Sequence, residues 1–129
     1  MCDMSKYIDG FVLVVPKGKA EDYRKMAEDG RDSWMKHGAL AYFECKGQDL
    51  KPQEMGEEKS RTFTEMAGAG DEDDVWFSFI VFESKEHRDA VNKKVMAEMD
   101  ETYDEQSGFV MPFEMSKMAT GGFEVVVEG

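Results

Sequence analysis

Between Val75 and Met99 the chain passes from VWFSFIVF, β-branched and aromatic residues broken only by Ser78, into a segment of helical spacing. Such a run predicts a central buried strand. Ser84 follows as a hydroxyl N-cap, Glu86 and Asp89 suit a helix N-terminus, and a helix is predicted over Lys85–Met99. A strand that feeds straight into a helix needs strands on either side and a second helix. The other predicted elements supply them. Lys6–Val15 is strand-like and is ended by Pro16. From Lys19 the period becomes helical, with Ala20, Tyr23, Ala27, Gly30, Trp34 and His37 on one stripe and Gly38 as the stop. Gly30 on that stripe predicts a close approach to the sheet. Ala39–Lys46 is a second strand and Met118–Val127 the last. Gly47–Ser60 reads as a polar loop, Arg61–Ala67 as a short arm or extra strand, and Asp100–Gly108 as an acidic loop.

This order, β-α-β-(arm)-β-α-β, predicts an α+β, ferredoxin-like βαββαβ fold with an antiparallel sheet and both helices on one face. Residues 1–5 read as a disordered tail and 6–129 as a single domain. Alternation sorts the strand residues into two faces. Ile8, Gly10, Val12, Val14, Ala41, Phe43, Cys45, Val75, Phe77, Phe79, Val81, Phe123, Val125 and Val127 form a wholly apolar set, expected under the helices. Asp9, Phe11, Leu13, Leu40, Tyr42, Glu44, Trp76, Ser78, Ile80, Phe82, Gly122, Glu124 and Val126 form a mixed set, expected to line a cavity or subunit interface. A sheet with one uncovered face is a reason to expect a homodimer, with the cavity between the two sheets.

Composition narrows the classes. In 129 residues, 41% hydrophobic and 12% aromatic, there is material for one folded domain. A net charge of −12 argues against nucleic acid or an anionic membrane as partner. The acidic runs at Asp71–Asp74 and Asp100–Glu105 read as solvated loops. Two cysteines, Cys2 and Cys45, are too few for a disulfide framework, and no signal-peptide or membrane-spanning pattern appears. A reducing cytoplasm is the expected location.

Across these elements stand Tyr7-Ile8-Asp9-Gly10-Phe11-Val12, His37-Gly38-Ala39-Leu40, Glu44-Cys45 and Phe77-Ser78-Phe79-Ile80. After them come Ser84, Arg88-Asp89, Asn92, Lys94-Val95-Met96, Met111-Pro112-Phe113, Met118 and Gly121-Gly122-Phe123. In these motifs the chain resembles the YbaA-like family of uncharacterised bacterial proteins, of the dimeric α+β barrel superfamily, over nearly all of Tyr7–Val127. It departs where the family usually has Asp-Pro-Arg and Glu98-Met99-Asp100 stands here, and the acidic segment Glu101–Gly108 looks peculiar to this chain. The resemblance implies a homodimer with facing sheets. It brings no established activity, and fold analogy to cofactor-independent enzymes is associational only.

Asp9, Glu44 and Glu124 carry the sharpest chemical signal, because a carboxylate on an otherwise apolar strand face is costly unless paired or solvated. Pairing with a dimer mate or exposure at a cavity mouth is the plainer account of all three; a catalytic role is the sharper one. Asp9 and Glu124, near opposite ends of neighbouring strands, are expected to lie close, with one carboxyl titrating high unless a cation intervenes. Asp9 is the first choice, since it also lies in the Asp-Gly-Phe motif shared with the family. Phe11, Tyr42, Trp76 and Ser78 are the expected cavity lining. His37 and His87 continue apolar stripes and read as satisfied structural histidines rather than metal ligands. Cys45 reads as an inert buried thiol. The Arg88–Asp89–Asn92 group is expected to bond its helix to a loop or partner. No metal or cofactor is expected. Two function classes follow: a homodimer that binds, or transforms without cofactor, a small organic molecule; or a non-catalytic binding or structural, stress-related module.

Overall fold

The computed structural model of the chain describes residues 5–52, 54–102 and 110–129; residues 1–4, 53 and 103–109, on which most of the predicted tail and of the predicted acidic loop fall, lie outside the described residues. The elements run β1 (Tyr7–Pro16), α1 (Ala20–Lys36), β2 (Ala41–Lys46), β3 (Glu54–Met55), β4 (Glu58–Lys59), α2 (Phe63–Ala67), β5 (Asp73–Phe82), α3 (Lys85–Thr102) and β6 (Ala119–Glu124). Four strands form one antiparallel sheet in the order β2-β5-β1-β6. That arrangement, with α1 and α3 together on one side, is consistent with a ferredoxin-like fold.

Local chemistry accounts for the boundaries. Ser84 Oγ accepts the His87 N–H at 3.1 Å and starts α3, as the sequence predicts. Gly38, at φ +113°, ends α1 in a backbone conformation that a side chain would resist. β6 stops at Glu124 rather than Val127 because Glu124 already pairs with Tyr7, the first residue of β1. Arg61–Ala67 is not an extra strand. Thr62 accepts the Glu65 N–H and Gly68 closes α2 at φ +69°, so a threonine cap and a glycine stop make a short helix. The predicted loop Gly47–Ser60 likewise contains the β3–β4 hairpin, which turns at Gly56. Asp73 and Asp74 belong to β5 and face Pro16 and Val15 of β1, so the second acidic residues of that run are strand rather than loop.

The faces of the sheet are the reverse of the sequence expectation. Beneath the helices lies the mixed set. Leu13, Val15 and Trp76 pack with Tyr23 and Ala27 of α1 and with Phe113, while Ile80 and Phe82 pack with Ala39 and with Val91 and Val95 of α3. The apolar set looks outward, with Phe43 49%, Phe77 43% and Phe123 61% exposed. Only toward one end is this face shut off from solvent, at Val14 and Val75, which pair across β1 and β5. The reversal has a physical cause: Asp9 and Glu44, the carboxylates of the mixed face nearest the helices, have donors on those helices, so covering them leaves neither acid unpaired, although Trp76 Nε1 is buried without a partner.

Phe82 is fully buried, and Phe82→Ala should lower the unfolding free energy by roughly 3–5 kcal/mol in urea denaturation. Phe43→Ser, on the outward face, should leave the far-ultraviolet circular dichroism of the folded chain unchanged.

Candidate functional site

Helices and sheet do not close completely on one another. Between them is a cavity of about 420 Å³, lined by Phe11 and Leu13 of β1, Tyr23, Met26, Ala27, Gly30 and Trp34 of α1, Tyr42 and Glu44 of β2, and Ser78 and Ile80 of β5. Met99 and Asp100 of α3, with Met111, Phe113 and Met118, complete it. Gly30 helps to keep it open: a Cβ there would stand 3.0 Å from the Tyr42 hydroxyl. Its neighbours are therefore Tyr42 of β2, on the sheet, and Trp34. Phe123, on the outward face, is what lies over Gly10.

Glu44 is the polar centre of this cavity. Tyr42 and Glu44 are two apart on β2 and so share a face, which the helices cover. The Tyr42 hydroxyl donates to Glu44 Oε2 at 2.6 Å, and Tyr23 reaches down from α1 to donate to Oε1 at 2.7 Å. Trp76 meets the Tyr23 ring edge-on at 4.8 Å and Phe113 does so at 5.8 Å, which fixes the phenol in place. Burial first, and then the charge of Glu44, push both phenols well above the ordinary value of 10.0. A bond from Ser78 acts the other way at Tyr23, as does Arg31 at Tyr42, without reversing either shift. The protons stay on the tyrosines, and Glu44 is the acceptor of both. On the far side of Tyr42 and Glu44 lies an adjoining groove lined also by Arg24, Arg31, Lys46 and Trp76.

Asp9 is tied into a different network. It is 5% exposed and accepts from Arg88 Nη1 at 2.9 Å and Asn92 Nδ2 at 3.1 Å, both from α3. Asn92 in turn accepts from Trp34 Nε1 at 2.9 Å, and the Arg88 guanidinium lies 4.9 Å from the centre of the Tyr7 ring. The chain of contacts joins β1, α3 and α1. Arg88 and Asn92 thus bond α3 to the sheet rather than to a loop or partner.

The predicted site residues separate accordingly. Phe11, Tyr42, Ser78 and Glu44 come together in the cavity, which lies within the chain, between its helices and its sheet. Trp76 stands behind Tyr23 and faces the groove. Asp9 is outside the cavity lining, with Arg88 as its cation in place of the expected coupling to Glu124. Glu124 lies opposite Tyr7 on the edge strand and is exposed. Cys45 is a free thiol, exposed on the outward face, because the buried parity is that of Glu44. His87 Nδ1 accepts the Glu83 N–H, and His37 bonds to Glu98, whose carboxyl is held below its ordinary range by that bond and by Lys36. Among the described residues no three His, Cys, Asp or Glu are grouped to hold a metal ion. Tyr23 is the site residue that sequence reading takes only for a core position. A tyrosine on an inward stripe needs a partner for its hydroxyl, and that was the available signal.

A family model described as "Protein of unknown function (DUF1428)" matches residues 6–115 of the chain. The "Uncharacterized protein YbaA" of Escherichia coli strain K12 is 36% identical over 123 residues, spanning 95% of this chain and 98% of that protein. The protein of the same description from Shigella flexneri matches to the same extent.

Because the folded state raises both phenol pKa values, it favours their neutral forms. That contribution is complete below the ordinary value of 10.0 and is lost as pH rises beyond it. Phenolate absorbance should therefore show Tyr23 and Tyr42 ionising only as the chain unfolds in alkali, and Tyr23→Phe should remove one group from that late phase. Separately, Arg88→Met strips a buried carboxylate of its cation and should cost about 3 kcal/mol in urea denaturation. Adding Asp9→Asn should recover part of that loss, a coupling that the double-mutant cycle measures.

Proposed function

Since this chain belongs to the DUF1428 family of proteins of unknown function and is similar to YbaA over nearly its whole length, we propose that it is a homodimer that binds a small, largely apolar organic molecule in the cavity between its helices and its sheet. The observation that carries this reading is the cavity itself. It measures about 420 Å³, and among the described residues its lining is apolar except for Tyr23, Tyr42, Glu44, Ser78 and Asp100. An apolar chamber with a few convergent polar groups is the usual form of a small-molecule site. Recognition draws on the protein's own side chains, with no cofactor required. Both oxygens of Glu44 already accept phenolic hydrogen bonds, which favours binding over proton transfer and so the reading without turnover.

Assembly follows from the outward face. Phe43, Phe77 and Phe123, about half exposed or more, stand with Phe79 on one side of the sheet, and Phe43 and Phe79 stack at 4.9 Å. A contiguous aromatic patch of this kind marks an interaction surface. Two such faces packed together would give a dimeric α+β barrel, leaving the helices and both cavities on the outside. The free thiol of Cys45 on this face fits a reducing cytoplasm. Among the described residues no helix is long and apolar enough to cross a membrane.

Native mass spectrometry of freshly purified protein should find a dimer that retains a small molecule, and sedimentation at micromolar concentration should agree on the dimer. Phe77→Ser should shift that equilibrium toward monomer. A protein that sediments only as monomer loses the assembly, and one that binds no small molecule loses the cavity's role.

A further inference from the structure

The cavity's lining has a sign. Among the described residues its lining includes two acids, Glu44 and Asp100, and no lysine, arginine or histidine. An anionic ligand would enter it with no cation to meet and two carboxylates to repel it. The basic residues nearby, Arg24, Arg31 and Lys46, line the neighbouring groove beyond Tyr42 and Glu44 instead. The carboxylate of Glu44 has about four lone-pair sites, of which the two phenols occupy two. The open positions accept hydrogen bonds and cannot donate them. Around them stand the faces and edges of Tyr23, Tyr42, Trp34, Phe11 and Phe113, the ring types that attract a cation once water is excluded. The Trp34 and Tyr42 rings lie 6.0 Å apart and tilted, so both present π surface near the acid. A net charge of −12 on the whole chain draws cations toward it.

Building on the cavity as a small-molecule site, we infer that its ligand is an apolar amine: an aliphatic or aromatic body seated among the methionines and aromatic rings, with an ammonium group held by Glu44. The ammonium group supplies donors where the Glu44 carboxylate offers only acceptors, and its charge meets a half-buried acid on the cavity wall. Specificity would be set against carboxylic acids of the same shape, which the site repels, and less strongly against alcohols, which lack the charge.

Calorimetric titration of the intact protein with 4-phenylbutylamine, 4-phenylbutan-1-ol and 4-phenylbutyrate tests this, because the three probes share a body and differ in the head group. The amine should bind about tenfold or more tightly than the alcohol, and the carboxylate most weakly. Added salt should weaken the amine and leave the alcohol nearly unchanged. Glu44→Gln should remove the amine's advantage while the alcohol still binds. Should that variant fail to fold, the order of the three probes on the unaltered protein decides alone. A carboxylate that binds as tightly as the amine overturns the ammonium assignment and leaves the cavity's role standing, as does an amine no tighter than the alcohol. Failure of all three probes removes the cavity as a site for bodies of this kind, and the assignment with it.

Discussion

Two carboxylates stand on the sheet face that the helices cover, and the structure depends on the donors that meet them. Asp9 in β1 is held by Arg88 and Asn92 of α3, and Glu44 in β2 by Tyr23 of α1 and Tyr42 of its own strand. Without these partners the buried Asp9 would cost several kcal/mol, and the half-buried Glu44 less. With them, each becomes a tie between layers. The two ties lie on different strands and engage different helices, so together they fix how α1 and α3 sit on the sheet. Asn92 links them further through Trp34, which also borders the cavity.

The same arrangement explains what could and could not be read from the chain in advance. The sheet, its two long helices and their order were legible, because hydrophobic period and end signals such as Ser84 and Gly38 are local. Which face the helices cover was not. The rule that the more apolar parity goes inside assumes polar residues are unpaired, and here Tyr23, Arg88 and Asn92 arrive from distant positions to pair them. Once that pairing is made, Trp76, Ile80 and Phe82 can be buried beside acids, and Phe43, Phe77 and Phe123 are left facing out. The error at Arg61–Ala67 was of another kind. Thr62 with Glu65, followed by Gly68, was a helix signal on the page, weaker to the eye than the isolated Phe63.

The site was partly legible. The parity that groups Phe11, Tyr42, Glu44 and Ser78 is correct, since it rests only on alternation along strands, and it gathers four residues of one cavity. Choosing among the acids required the third dimension. Asp9 was favoured as a member of a motif, yet a guanidinium and an amide occupy it in a structural role. Glu44 has donors too, but they are the walls of a cavity, so its remaining lone pairs look into open space. The groups bonded to Glu44 are neutral phenols, whereas Asp9 faces the cation of Arg88.

The alternation of β5 divides the labour of the whole molecule. Trp76, Ser78 and Ile80 point toward the helices, where they border the groove and the cavity, while Phe77 and Phe79 point to the open face. One strand therefore serves two surfaces through alternate residues. A ligand beneath the helices and a second subunit on the outer face would each press on the same backbone from opposite sides. Because β5 is central and paired along its length to β1 and to β2, it resists displacement in either direction. The cavity's shape is thereby insulated from what happens on the aromatic face. Its adjustable side is the one formed by Met26, Met99, Met111 and Met118, flexible thioethers that can settle around bodies of differing outline while Glu44 stays fixed on the sheet.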